Sequence, residues 1–368
     1  MKLGLFIQPV HPSTRDYGEV LREDQEAVIL ADKLGMAEAY IGEHMTDLME
    51  PITSCLLFIG TLINRTFQIK LASGVVNLTS YHPVHVAAHV AMIDHLLEGR
   101  FLFGIGPGAL PTDLEVFGNL DIDKNEKMVE AIDHILSIWA GEAPYNLKGR
   151  YFATTTERTM IKEIGQGSIP KPLQKPHPPI VFTAIAPHSQ GVSAAAERGW
   201  TGISSNYVQA HWVATHLHKF LEGRRNAGLT EDPSLWRVAK SIFVADDEST
   251  ACRYAKSESG PFGSYFKNIM SKIENSKKYM KSYGPVIFKS HPNQPDSEVN
   301  LQHTLDTQVI AGTPEQVAEE IVKLREIIGS FGTLIYTAHD WVDPSLSRRS
   351  MELMAKEVMP RVNTALGE

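Results

Sequence analysis

Cysteine is scarce in this chain. Only Cys55 and Cys252 occur in 368 residues, far apart and outside any CxxC pair, so neither a disulfide framework nor a thiolate zinc site is indicated. Positive charge is short as well. Against 43 Asp and Glu stand 35 Lys and Arg, and the formal net charge of −8 argues against nucleic acid or an anionic membrane surface as the main partner. No apolar run is long enough to cross a bilayer. The opening MKLGLFIQPVHP has a single Lys and few apolar residues before Gln8 and Pro9, without the regions of a signal peptide. The expectation is a reduced, cytoplasmic globular protein.

Two chemistries are missing too. There is no GxSxG elbow, and neither cysteine has a nucleophile's surroundings, so covalent hydrolysis has no obvious nucleophile. His85 and His89 stand at i,i+4 spacing, but no HExxH carboxylate accompanies them. His216 and His218 fall in a helical pattern that sends their rings to separate faces. No metal is expected.

What the chain has is alternation. Short apolar runs at 3–7, 39–42, 69–76, 100–106, 179–184, 201–205, 236–245 and 332–338 are separated by helical patterns. Among these are Tyr17 to Gly35, Pro51 to about Asn64, a helix opening near Pro83, and GTPEQVAEEIVKLREIIG at 312–329, capped by Thr313 or its neighbour and opened by Pro314. Eight strands alternating with helices predict a parallel sheet, and eight closes a (β/α)8 TIM barrel; a doubly wound open sheet is the alternative. Two segments exceed ordinary connections. Residues 144–178 predict an excursion with short extra strands, and the aromatic-rich 246–311 a lid inserted into one 1–368 domain.

In a barrel, reactive groups sit where strands end. The second strand ends at Glu43 and His44, and imidazole can donate a hydrogen bond or move a proton near neutral pH. The structural alternative is a histidine satisfied by Asp47 or a backbone carbonyl. FGIGPGALP has spaced glycines, but Pro107 and Pro111 interrupt the dinucleotide pattern, so it reads as a glycine-lined strand end for a flat ligand. APHSQG places His188, Ser189 and Gln190 at a helix entry suited to a phosphate, or simply to a Ser cap.

GEHM at 42–45, SGVVNLTSYHPVHVAAHVAMIDHLLEGRFLFGIGPGALPTDLEVFG at 73–118, GTPEQVAEEI at 312–321 and RSMELMAKEVMP at 349–360 together resemble the bacterial luciferase-like flavin monooxygenases, with GIGPGALPTD similar to the limonene 1,2-monooxygenase-type branch. The resemblance spans nearly the whole chain. It implies a luciferase-like TIM barrel holding reduced FMN at its C-terminal mouth, where O2 forms a C4a-peroxyflavin that oxygenates an apolar small molecule such as a terpene or cyclic ketone. His44 matches the histidine that acts on that adduct, with Glu43 orienting it or a neighbouring loop. Gly74–Val75 matches a non-proline cis peptide against the isoalloxazine, Asn77 follows it, and Gly106 leaves room beside the flavin face. His188, Ser189 and Gln190 are assigned to the phosphate. Phe262, Tyr265, Phe266, His339 and Trp341 are assigned to the substrate wall.

One departure matters. Luciferase has arginines at the position of Pro107 and near Asn125 that contact the flavin phosphate, and this chain has neither. Weak FMN binding follows, as in a two-component system fed by a separate flavin reductase. Relatives commonly pair through barrel-side helices, which implies a homodimer. The rival readings are an F420-dependent oxidoreductase on the same fold, a metal-dependent barrel hydrolase, and a non-catalytic flavin-binding protein.

Overall fold

The computed structural model describes residues 1–280 and 284–368. The three residues between belong to the expected 246–311 insertion, and that part of the expectation lies outside the described residues.

Eight parallel strands carry the architecture: β1 (Lys2–Ile7), β2 (Glu38–Ile41), β3 (Lys70–Ser73), β4 (Phe101–Gly106), β5 (Ile180–Ala184), β6 (Thr201–Ser204), β7 (Trp236–Val244) and β8 (Thr333–Thr337). Each pairs with the next in chain order, Leu3 of β1 lies opposite Leu334 of β8, and Gly202 of β6 lies opposite Trp236 of β7. The ring therefore closes, and the sheet is the (β/α)8 barrel and not the open alternative. Alternation along the strands makes two apolar layers. Tyr40, Ala72, Leu102, Val181, Ile203, Ala239 and Ile335, one from each of β2 to β8, fill the barrel with Phe6 of β1 packed against them. Their neighbours, such as Leu5, Ile7, Ile41, Leu71 and Phe103, face outward into the much larger core beneath the helices.

The helices are α1 (Tyr17–Lys33), α2 (Cys55–Gly60), α3 (Pro83–Leu96), α4 (Pro111–Val116), α5 (Lys124–Ala140), α6 (Gln190–Glu197), α7 (Ala210–Asn226), α8 (Glu248–Ala255), α9 (Pro261–Ser276), α10 (Leu301–Gln308), α11 (Pro314–Ile328), α12 (Pro344–Leu353) and α13 (Met359–Leu366). The cap expected at Thr313 is a full capping box with Gln316. The helix expected from Pro51 starts only at Cys55, because the Ser54 side chain accepts from Leu57 N and so fixes the first turn there.

Two excursions leave this frame. Asn146–Lys148 pairs antiparallel with Ala153–Thr155, the short extra strands expected in 144–178. Between β7 and α11, the helices α8, α9 and α10 and a short strand, Val309–Gly312, which pairs with the end of β7, enclose a second apolar cluster. Phe243, Phe262, Tyr265, Phe266, Ile287, Phe288 and Leu305 are buried in it. Contacts from α9 to Asn206 beyond β6, His339 beyond β8 and the loop after β2 lay this helix across the C-terminal ends of the strands.

Candidate active site

His44 lies just past β2, its backbone N–H donating to the carbonyl of Ile52 at 3.0 Å. Its ring lies between two acids. Nδ1 is 2.8 Å from Asp113 Oδ2, and Nε2 is 3.1 Å from Glu50 Oε2. A ring hydrogen-bonded at Nδ1 to one carboxylate and at ion-pair distance from another at Nε2 fits the imidazolium form. Burial opposes that charge, but Glu50 and the hydrogen bond to Asp113 outweigh it and hold the His44 pKa above its ordinary value.

Both acids are themselves anchored. Asp113 stands in the first turn of α4, where its Oδ1 accepts from the backbone N–H of Thr46 at 2.9 Å and from the Thr46 hydroxyl at 2.6 Å. Burial alone would raise Asp113, yet the hydrogen bonds from His44 and Thr46 prevail and hold its pKa low. Glu50 accepts from Gln8 Nε2 at 3.0 Å through the oxygen that faces His44. Its other oxygen is 2.9 Å from the ammonium of Lys272 on α9. Lys272 also pairs with Asp47 at 2.5 Å. Asp47 is thus not the acid on His44, which was one reading of the sequence.

Of the two parts expected for Glu43, orienting His44 or a neighbouring loop, its contacts fit the second and do not reach the His44 ring. Its oxygens accept from the backbone N–H groups of Cys55 at 3.0 Å and Asn77 at 3.1 Å and from the Tyr81 hydroxyl at 3.3 Å. Neighbouring residues of extended chain point to opposite sides, so a carboxylate beside His44 in sequence faces away from it in space. Glu43 ties the end of β2 to α2 and to the end of β3, and burial pushes its pKa up.

Gly74–Val75 is a cis peptide, as expected, and Asn77 pairs in register with Gly106 of β4. Strand β4 needs its glycines. A Cβ on Gly104 would sit 1.8 Å from the carbonyl oxygen of Ser73, and one on Gly106 would meet Val75 Cγ2 at 2.7 Å. The missing side chain at 106 therefore admits Val75, which packs where a Cβ would stand. Glu43, Val75, Asn77 and Gly106 converge at the ends of β2, β3 and β4.

His188, Ser189 and Gln190 form a second group beyond β5. His188 has φ 52° and its N–H donates to the Thr215 hydroxyl at 3.0 Å. Ser189 precedes α6, but its side chain makes no capping hydrogen bond, so the Ser-cap alternative does not hold and the first N–H groups lack a side-chain acceptor. On the side of Pro107, Lys124 supplies a cation that sequence reading passed over, its ammonium 2.9 Å from the carbonyl of Gly108.

The five residues assigned to a substrate wall divide. The Phe262 and His339 rings are 3.9 Å apart, and Tyr265 stands edge-on to His339 at 4.6 Å while its hydroxyl donates to Asn206 at 3.1 Å. Phe266 is buried against Tyr265 inside the second cluster. Trp341 is not with them. It lies in the core beneath the helices under the guanidinium of Arg348, because the chain turns after β8 and its N–H donates to Glu23 on α1. Burial pushes the His339 pKa down to about 3, so the ring is neutral.

A flavin fits these groups. The cis Gly74–Val75 backbone and Gly106 meet at the ends of β3 and β4, and α6 offers N–H groups to an anion. Three buried polar atoms, Thr337 Oγ1, His339 Nδ1 and Asn268 Oδ1, come from the end of β8 and from α9 without a protein partner, and buried polar atoms normally have one.

A closed (β/α)8 barrel with a histidine between acids at one strand end and an anion-ready helix start at another defines a cofactor-dependent barrel enzyme. The profile of the luciferase-like monooxygenases matches residues 1–330, and the chain belongs to that family. It is 28% identical to limonene 1,2-monooxygenase of Rhodococcus erythropolis, over 99% of this chain and 87% of that one. It is 27% identical to 4-hydroxyprotoasukamycin monooxygenase of Streptomyces nodosus subsp. asukaensis, over 100% and 93%. Among solved structures, the oxygenating constituent of 3,6-diketocamphane monooxygenase of Pseudomonas putida, a type II Baeyer-Villiger monooxygenase in complex with FMN, superposes with a TM-score of 0.86 at 26% identity, covering 98% of each chain. No helix among the described residues is long and apolar enough to cross a membrane.

Proposed function

We propose that this protein is the oxygenase of a two-component system that uses reduced FMN and O2 to oxygenate an apolar small molecule, a terpene or a cyclic ketone. The observation that carries the reading is the His44 imidazole between Asp113 and Glu50, on the strand next to the cis Gly74–Val75 backbone. Reduced FMN, when bound, supplies the electrons with which O2 is activated.

The chain's own part is placement and proton control. Gly74, Val75, Asn77 and Gly106 give the ring a backbone floor, and His188, Ser189 and Gln190 take the phosphate at the start of α6. Asp113 holds Nδ1 and fixes the orientation of His44, and the imidazolium donates a proton at Nε2, on the Glu50 side, and takes it back there. The 246–311 insertion acts as a lid on one barrel domain and keeps water out, with Phe262, Tyr265 and His339 on the substrate's side. Separate delivery of reduced flavin is supported by the lack of a nicotinamide fingerprint in the sequence and by a relative described as an oxygenating constituent. The partner is then a flavin reductase, and the working form a cytoplasmic homodimer.

The test supplies chemically reduced FMN and follows oxygen uptake with a panel of terpenes and cyclic ketones, beside reduction of F420 by alcohols. Product formation with FMN and none with F420 is expected. His44→Ala should lower product formation about 10²-fold or more. Hydride transfer to F420, or an unchanged His44→Ala yield, would overturn the assignment.

A further inference from the structure

We propose that Lys272, on the helix that crosses the barrel mouth, is a positioning residue that couples the seating of α9 to the proton held by His44. The coupling runs through one carboxylate. Glu50 faces Lys272 at 2.9 Å with one oxygen and His44 at 3.1 Å with the other. Two cations thus share one anion, and what Lys272 takes from Glu50 is withdrawn from the imidazole.

The ion pair is not an ordinary surface one. The side chains of Glu50 and Asp47 are 4% and 11% exposed and that of Lys272 is 19% exposed, so solvent screens them weakly. Asp24 of α1 lines the same small cavity as His44 but is paired with His11. The charged groups joined to His44 by ion pairs, directly or through Glu50 and Lys272, come from three elements: Glu50 and Asp47 from the loop after β2, Asp113 from α4, and Lys272 from α9. With Lys272 in place these fixed groups sum to two negative charges; with α9 lifted they sum to three. Seating the helix therefore loosens the His44 proton, and lifting it tightens the hold. Lys272 acts on His44 as a like charge does. Among the described residues, Lys272 is the only lysine or arginine ion-paired with Glu50, so the insertion supplies this control. The imidazole would give up its proton most readily when the mouth is covered and water excluded.

The proposal rests on the reading of His44 as the acting group, but its test needs neither flavin nor turnover. The imidazole signal of His44, assigned by its loss in His44→Gln, is titrated by NMR in the flavin-free protein. Lys272→Met should raise the titration midpoint by about one pH unit or more, the size of one weakly screened charge a few ångströms away. Lys272→Arg should restore it. Asp47→Asn should move it the other way, since an anion is lost and Lys272 is left to Glu50 alone. A purely structural role would instead loosen α9, seen as faster amide exchange across 261–276, with the midpoint unmoved in Lys272→Met, and that result overturns the coupling. If the midpoints move as expected while His44→Ala still turns over, the coupling stands and the catalytic reading falls.

Discussion

Two histidines of this barrel sit between carboxylates, and they differ in where those carboxylates come from. His11, past the end of β1, is 1% exposed; its Nδ1 is 2.5 Å from Asp340 and its Nε2 3.3 Å from Asp24. Arg15 adds a fixed cation, 2.5 Å from Asp340 and 2.9 Å from Glu23. All five groups belong to the β1–α1 segment or the end of β8, which are parts of the barrel frame. His44 is 17% exposed, and the cation of its cluster arrives on α9 from the insertion. The frame completes the first cluster whatever the insertion does, whereas the second depends on it. The same chemistry therefore locks the fold at one strand end and stays adjustable at the next. The atoms of His11, Glu23 and Asp340 lie within 4.8 Å of one another, as metal ligands do, but Arg15 already supplies the positive charge there.

The largest effect should separate the two by stability. His11→Ala leaves Asp24 buried without a donor and Asp340 with Arg15 alone, a loss on the order of 3–5 kcal/mol when one partner of a buried charged pair is removed. His44→Ala should cost about 1 kcal/mol or less, because Asp113 keeps the N–H groups of Met45 and Thr46, and Glu50 keeps Gln8 and Lys272. Urea unfolding of both variants measures the difference. Equal costs would erase the distinction between a lock and a working group.

The next effect is on pH. Burial works against a charge on His11, but hydrogen bonds to and charges on Asp24 and Asp340 outweigh it and raise its pKa from 6.5 to about 9. A raised folded-state pKa stabilises fully below the unfolded value of 6.5, and that stability is lost as pH rises through about 9. The amount is on the order of 3 kcal/mol for a shift of this size. Unfolding free energy should fall across that window in the native chain and be flatter in His11→Gln. Asp113→Asn sharpens the contrast on the other side. With one acid gone, the His44 midpoint should drop by about one pH unit, read in the same NMR titration, and the alkaline fall in stability should lessen by about 1.4 kcal/mol, less than in His11→Gln.

The frame was legible because its periodicity is local. Short apolar runs such as LGLFI and RFLFGIG, each set between helical patterns, are enough to count eight strands, and the strand count puts His44 at a mouth. Partners were harder. Asp113 stands inside GIGPGALPTD, a motif read for its glycines, so its carboxylate went unused. Glu50 is in the same loop as His44, but nothing local says which acid of that loop turns back to the ring. Lys272 is far away along the chain, and only the docking of α9 brings it in. Trp341 was misplaced for a similar reason: past the last residue of β8 the chain turns, and alternation stops predicting direction. Adjacency in sequence misled most at Glu43, where the extended backbone sends neighbours to opposite sides.

That last point gives the smallest and most discriminating effect. Glu43→Gln keeps the shape of the side chain and one acceptor oxygen, but sets an amide N–H against one of the two backbone donors, Cys55 or Asn77. Loss of one such bond costs about 1 kcal/mol of stability. The His44 midpoint should stay within about 0.2 pH units, because the charge removed faces α2 and β3 and is not among the acids on the ring. Asp113→Asn removes a charge of the same sign from the side that touches His44. The two variants thus differ in direction far more than in chemistry. If Glu43→Gln moved the His44 titration as far as Asp113→Asn does, Glu43 would regain the orienting part that its place in the sequence suggests. If only stability changes, Glu43 belongs with His11 among the groups that hold the frame.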